Sequence, residues 1–502
     1  KRPIIYPWLQ RNKVDTYHYL HHNMGINRMS NGADVYMPTE FIHGLYDGGH
    51  GAGLDDYWSD FMKSPLVAGG FLWVFSDEAV VRTDKDGILD GDGNYAPDGI
   101  LGPYREKEGS FYTIKHIWSP VQIKPITINE NFDGNLFLEN KYTYTNLTAC
   151  TFTWIAIQLD GLTSAKEIAS GKLSSPDIAP GETREVNLNL PANFAEADIF
   201  SFTATDHTGM EIYTWTWPIK MPKAFVQKTI GEQKSTESIQ TEESGNLLKA
   251  SVAGVEIAIN LENGILEEVR NTRGSISFNG GPLPVGLDTE ITGSSWRKES
   301  DGSLLVEITY EPYPKYVRWR LHITGMLHLE VAPPWLSKVE LDYIGVTFNY
   351  PEELSTAVKW IGKGPYRVWK NRMKGAEFGL WEKAYNNTIT GHSFESLIYP
   401  EFKGYHAGLY AMELQNKESN FKIYSETPNL FFKLYTPENS PHATLGVKPP
   451  FPEGDISFLM HIPPIGTKFS GPETMGPDSQ KGRTGTHFGD EGYPISLWFD
   501  FK

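Results

Sequence analysis

Short apolar runs and helical stripes alternate over the first 118 residues of the chain. Residues 14–20, 35–39 and 67–75 read as strands. Between the last two, Leu54, Tyr57, Trp58, Phe61 and Met62 recur at helical spacing, and Pro65 ends the run. A second helix is predicted over 105–118, with Phe111, Ile114, Ile117 and Trp118 inward and Pro120 as the stop. Strand and helix in alternation mean a parallel sheet. About four such units fit this stretch, whereas a closed (β/α)8 barrel needs eight.

From residue 119 the period shifts to two. Thr151, Thr153, Ile155 and Ile157 alternate with Phe152, Trp154 and Ala156, and the turn Pro180-Gly181-Glu182-Thr183 precedes a second alternating run at 184–190. This pattern predicts an antiparallel, immunoglobulin-like β-sandwich over 119–225. Residues 226–246 are rich in Lys, Glu, Ser and Thr and read as a linker. Over 247–502 short strands recur between turns such as Glu262-Asn263-Gly264 and Asp301-Gly302. A large all-β sandwich is expected there, ending in a strand over 494–501.

Composition narrows the function classes. The net charge of −17 argues against nucleic acid, whose phosphates require a basic surface, and against anionic membranes. Lone Cys150 excludes an internal disulfide and a Cys-based zinc site. No apolar run reaches the ~18–20 residues of a membrane span. The first residues carry no signal-peptide pattern and read like the middle of a domain. An acidic, Trp-rich chain with one Cys is compatible with a bacterial periplasm or exterior.

Candidate chemistry concentrates near Glu40, which ends the run Tyr36-Met37-Pro38-Thr39-Glu40. A carboxylate at a strand end serves as a glycosidase nucleophile, or it caps a helix or pairs with an Arg. Retaining glycoside hydrolysis needs a second carboxyl group ~5–5.5 Å away. His43 and His50 follow in a Gly-rich loop, suited either to sugar hydroxyls or to loop backbone. Trp73 ends the next apolar run and offers an indole face as a sugar platform. The Asp-rich stretch 84–94 fails the EF-hand pattern in either register and reads as a solvated loop.

The segments PTEFIHG, DDYW, GGFLW and PDGILGPYREKEGSFYTIKHIWSPV together resemble the C-terminal part of the catalytic barrel of glycoside hydrolase family 2, the large multidomain β-galactosidase type. Trp360-Ile361-Gly362-Lys363-Gly364-Pro365 with Asn371-Arg372 resembles a motif of that family's C-terminal β-sandwich domain. The resemblance implies the end of a (β/α)8 TIM barrel over 1–118, an Ig-like β-sandwich, and a large sandwich like the β-galactosidase small chain. It implies a retaining β-glycosidase, foremost a β-galactosidase, with Glu40 as nucleophile. β-Glucuronides, β-mannosides or modified galactosides are the alternative substrates, and a non-catalytic carbohydrate-binding fragment is the alternative role. His43 and His50 would bind substrate, Trp73 would floor the sugar subsite, and a cis peptide would follow Trp73. Tyr95 and Asp98 match positions that bind a monovalent cation in some members, with Asp98 standing where Asn is usual. Mg or Na ions are the cofactors implied. Val74 replaces an Asp common in the family. The acid/base Glu is expected in an upstream N-terminal portion of the same protein, which with the carbohydrate substrate is the implied partner; homo-oligomers also fit the family. An aromatic from the last domain is expected at the site, with Phe451, His487 and Phe488 as candidates in the loops 441–453 and 471–492.

Overall fold

The computed structural model describes all residues except 1–3, 45–49, 92–95, 232–234, 334–338, 390–397, 440–444 and 484–491. Tyr95, His487 and Phe488 therefore lie outside the described residues.

The N-terminal region is a parallel βα succession. Val14–Asp15 pairs in parallel with Val35–Tyr36, and parallel bridges link His18 to Glu40, Tyr36 to Val67, Phe41 to Leu72, and Ser76 to Leu101. Helices α1 (His22–Asn31), α2 (Leu54–Phe61) and α3 (Gly109–Ile117) pack on one side. Leu20, Met29, Tyr36, Phe41, Leu54, Tyr57, Phe61, Ile114 and Ile117 form the core between helices and sheet. The parallel segments are held by scattered bridges more than by long ladders. Pro38 has no amide to donate, and Gly69 sits at φ +102°, so the pairing is interrupted at both places.

Three expectations need correction. The run 67–75 makes only isolated bridges, at Val67 and Leu72, in place of a continuous strand, and Phe71 and Phe75 stand 61% and 65% exposed. The helix expected over 105–118 begins at Gly109, four residues later, with Glu108 in extended conformation before it. The Asp-rich stretch carries a hairpin, Ala79–Arg82 against Ile88–Gly91. Asp86 and Gly87, both at positive φ, make its tight turn, and Arg82 bridges Asp84 and Asp90.

A sandwich follows. Val121–Ile123, Asn135–Asn140 and Thr183–Asn187 make one sheet; Thr151–Asp160, Ser164–Leu173, Ile199–Thr205 and Glu211–Pro218 make the other. Phe152, Trp154, Phe200, Phe202 and Trp215 fill the space between. The segment read as a linker is structured at both ends. Helix α4 (Pro222–Ile230) buries Phe225 and Val226, and Gln240–Ser244 is an edge strand of the next sheet. Its polarity reflects an edge strand's exposed side chains, which a composition argument cannot separate from a tether.

The remainder is an extensive antiparallel sheet system around one large core that includes Trp319, Phe348, Trp360, Phe432 and Phe499. The chain ends in Ile495–Asp500, which pairs with both Leu327–Val331 and Phe421–Ser425 and so ties the last residues into the core.

Candidate functional site

The C-terminal ends of three neighbouring parallel segments converge, and the start of a fourth, 98–101, pairs beside the third. Thr39 N–H donates to Tyr17 O at 3.0 Å, Phe41 N–H to Phe71 O at 3.0 Å, and Ile100 N–H to Val74 O at 2.9 Å. This ladder brings together Tyr19, Glu40 with His43, Trp73, and Asp98. Glu40 and Trp73 thus lie on adjacent segments, joined just beyond by Gly44 N–H to Trp73 O at 3.0 Å.

Glu40 is partly exposed and held from one side. The Tyr19 hydroxyl donates to Oε2, and His18 Nε2 lies 3.4 Å from the same oxygen. Burial and the hydrogen bond to Glu40 both raise the Tyr19 pKa, so the phenol stays a donor. One carboxylate oxygen is therefore oriented while the side chain still reaches solvent. Neither Tyr19 nor His18 stood out in the sequence, because the pattern around them reads simply as the end of a strand.

His43 is buried, and its Nδ1 is 2.6 Å from Gly44 O while Nε2 is 3.5 Å from Asp98 Oδ2. Burial lowers its pKa to about 4, so the ring is neutral near pH 7. It lies near-parallel to Trp73 with centroids 6.4 Å apart. The Trp73–Val74 peptide is cis.

His50 does not face the cleft as a substrate ligand would. It is 1% exposed, and its Nε2 bonds the Trp73 carbonyl. A Cβ on Gly44 would fall 1.8 Å from its ring. Its place is structural: it fixes the backbone on which Trp73 stands.

Asp98 is also buried. Burial first, and then the Glu78 charge, raise its pKa to about 7. Its Oδ1 has no hydrogen-bond partner among the described residues. A buried, unpartnered carboxylate oxygen is the kind of donor a hard cation takes, so Asp98 fits the cation reading. Its expected companion Tyr95 lies outside the described residues, and no cluster of three or more His, Cys, Asp or Glu among them suits a metal ion.

The C-terminal domain reaches this site through residues the sequence did not single out. Phe469 packs on Tyr19 and His43, with centroids 4.8 and 5.1 Å apart, and remains 54% exposed. Phe451 is instead stacked on Tyr405 at 4.7 Å and on the edge of Trp369, inside a core. Aromatic character alone could not separate the two.

The Asn371-Arg372 motif explains how Phe469 is placed. Asn371 Nδ2 donates to Ile465 O and Ser479 Oγ, both at 2.8 Å, and its Oδ1 accepts from Ile465 N at 3.0 Å. Its own carbonyl accepts from Gly53 N at 3.0 Å, at the start of α2. Lys374 pairs with Asp55 at 2.7 Å, its carbonyl accepts from Thr113 Oγ1 at 2.8 Å, and Asp56 accepts from Asp478 N at 2.9 Å. One buried Asn thus joins the loop carrying Phe469 to the helix that follows Glu40.

With this geometry in view, similarity to known proteins becomes informative. Residues 136–214 match the family model for β-galactosidase domain 4, and residues 263–445 that for the β-galactosidase small chain. The chain belongs to the β-galactosidase family of glycoside hydrolases. It is 22% identical over 405 residues to a β-galactosidase of Priestia megaterium, covering 71% of this chain and 38% of that protein. It is 24% identical over 427 residues to one of Streptococcus thermophilus, covering 74% and 38%. The chain therefore spans well under half the length of these relatives. Among solved structures, an Amycolatopsis orientalis exo-chitosanase is 12% identical over 55% of this chain and 32% of its own, with a TM-score of 0.18. A likeness that low carries no argument.

Proposed function

We propose that the protein to which this chain contributes is a retaining β-glycosidase acting on terminal β-linked sugars, with β-galactosides first among them. The observation that carries the proposal is the Glu40 carboxylate, held at a strand end by Tyr19 and His18 beside Trp73. In this reading residues 1–118 are part of a (β/α)8 barrel, whose reacting groups stand at the C-terminal ends of its strands.

Glu40 attacks the anomeric carbon, the glycosidic bond breaks, and a glycosyl ester forms on its free oxygen. A general acid protonates the departing oxygen and then, as base, activates the water that hydrolyses the ester. The Tyr19 O–H holds the second Glu40 oxygen and keeps the attacking lone pair aimed. Trp73 and Phe469 supply apolar faces for the sugar ring, and neutral His43, with Nδ1 engaged by Gly44 O, offers Nε2 to a hydroxyl. The cation proposed at Asp98 would supply fixed positive charge for sugar oxygens.

Asp77, Glu78 and Asp98 come from the same side of the sheet as Glu40, whereas the family's acid/base stands across the barrel. We therefore assign the acid to the upstream portion of the protein. The exposed Phe71 and Phe75 support a further segment against this face. The test is turnover of an aryl β-galactoside by the complete gene product and by residues 1–502 alone. Activity in the long form, lost with Glu40→Gln and absent from 1–502, is expected; activity of 1–502 alone would refute the assignment of the acid.

A further inference from the structure

A cavity of about 510 Å³ opens where the three parts of the chain meet, and it shares no described residue with the Glu40 site. Helix α3 contributes Tyr112 and Lys115 to it. The sandwich contributes Ile157, Ile199 and Ser201, and the strand Glu377–Ala384 of the large domain contributes Gly379 and Trp381.

Trp381 is the fixed wall. Its Nε1 donates to Gly362 O at 3.1 Å and to Glu377 O at 3.2 Å. A Cβ on Gly364 would fall 2.7 Å from the indole, and one on Gly379 would fall 3.1 Å from it. The ring therefore rests on two glycines, with its N–H spent on backbone carbonyls. Ile157, Ile199, Pro365, Phe378 and Leu380 make most of the remaining wall apolar.

The charges that border the cavity are already answered. Lys115 Nζ pairs with Glu211 Oε1 at 2.6 Å. Glu377 accepts from the Tyr213 hydroxyl at 2.6 Å, from Thr216 N at 2.8 Å and from Thr216 Oγ1 at 3.0 Å. An ionised occupant would lose its hydration here without gaining a counter-charge. A sugar would leave most of its hydroxyls unpaired against such walls. A flat, uncharged aromatic molecule loses neither: its faces meet Trp381 and the isoleucines, and the Ser201 hydroxyl is at hand for one polar substituent. Size, apolar walls, a few polar groups and a place between domains are the marks of a small-molecule site.

We propose that this interdomain cavity binds a neutral aromatic molecule of one or two rings, of the phenol class, separately from the Glu40 site. This goes beyond the glycosidase reading and does not depend on it. An occupant touches all three parts of the chain, so its binding favours the state in which they are docked.

The test is calorimetry of the complete gene product with 2-naphthol as the probe. Binding is expected, and it should persist in saturating methyl β-D-galactopyranoside. 2-Naphthoate, the same ring carrying a charge, should bind at least about tenfold more weakly. Trp381→Leu should weaken 2-naphthol by about tenfold, because the aromatic contact is lost. Ala165 borders the cavity from an exposed strand position. Ala165→Phe should fill the space and abolish binding with the urea midpoint unchanged. No binding of 2-naphthol, binding that both variants retain, or equal affinity for 2-naphthoate overturns the assignment. Displacement by the galactoside also overturns it, since the probe would then sit beside Glu40.

Discussion

Phe469 meets the His43 imidazole edge to face, with centroids 5.1 Å apart, although one residue belongs to the last domain and the other to the first. The contact makes the site a joint product of two domains. Its other side is open, since more than half of Phe469 is exposed. A half-exposed phenyl ring and a half-buried indole, both in contact with the one imidazole, offer apolar faces suited to a pyranose, which presents C–H groups on its faces and hydroxyls at its rim.

Replacing Phe469 by Ala should therefore weaken substrate binding more than it slows the chemical step. An aromatic contact contributes about 1 kcal/mol beyond burial, which corresponds to roughly a fivefold rise in KM. Steady-state kinetics of the complete gene product with an aryl β-glycoside would show it. A fall in kcat with KM unchanged would mean that the ring positions Tyr19 or His43 instead.

Asn371→Ala should destabilise the chain and loosen the same loop. Three hydrogen bonds of a buried side chain are lost, and Ile465 N–H and O are left to find other partners. The expected loss is about 2–4 kcal/mol, read as a lower urea midpoint. Susceptibility to proteolysis within the loop carrying Phe469 should rise in parallel. An unchanged midpoint would show that the motif does not hold the loop.

What the sequence disclosed follows from what is local. The helix of Leu54, Tyr57 and Phe61, the alternating strand through Phe152 and Trp154, and the terminal strand through Trp498 are each visible as periodicity. Glu40 and Trp73 are visible because each closes an apolar run. The partners of Glu40 are not visible this way, since Tyr19 reaches it only through parallel pairing of separate segments. Phe469 is harder still: its loop has no period, and its position depends on Asn371, on a different strand connection. His50 misled for the opposite reason. A His in a Gly-rich loop suggests exposure, but Gly44 leaves room for its ring to lie inside.

The buried imidazoles give the fold a defined acid response. Burial lowers the His43 and His50 pKa values to about 4. Between pH 4 and the ordinary 6.5 the unfolded chain holds protons that these folded rings do not. Stability from them is complete above 6.5 and falls as pH drops toward 4. At ~1.4 kcal/mol per pH unit, His50 alone accounts for about 3 kcal/mol. Asp98 opposes this: its pKa of about 7 means that the folded state binds its proton first, so its contribution grows as pH falls from 7 toward 4. His116 and His328, lowered to about 3 by burial, add to the first trend. The urea midpoint should therefore fall between pH 6.5 and 4, less steeply than the histidines alone imply. A midpoint that rises over that window would mean that the carboxylates dominate.

The role of Glu40 can be read chemically, without relying on rates. A retaining mechanism passes through a glycosyl ester, and a fluorine at C2 slows both its formation and its hydrolysis by disfavouring an oxocarbenium-like transition state. A dinitrophenolate leaving group needs no proton and restores the first step alone, so the ester accumulates. Mass spectrometry of the complete gene product treated with 2,4-dinitrophenyl 2-deoxy-2-fluoro-β-D-galactoside should show one added fluoro-sugar, carried on the peptide that contains Glu40. Glu40→Gln should take no label. Tyr19→Phe should label more slowly, by about tenfold or more, because one hydrogen bond to a charged group no longer aims the carboxylate. A label on Asp77 or Asp98 would move the nucleophile to a neighbouring strand end and leave Glu40 a supporting role. No label at all, with turnover intact, would point to an inverting mechanism, in which Glu40 acts on water and the opposing carboxyl stands roughly 6.5–9.5 Å away.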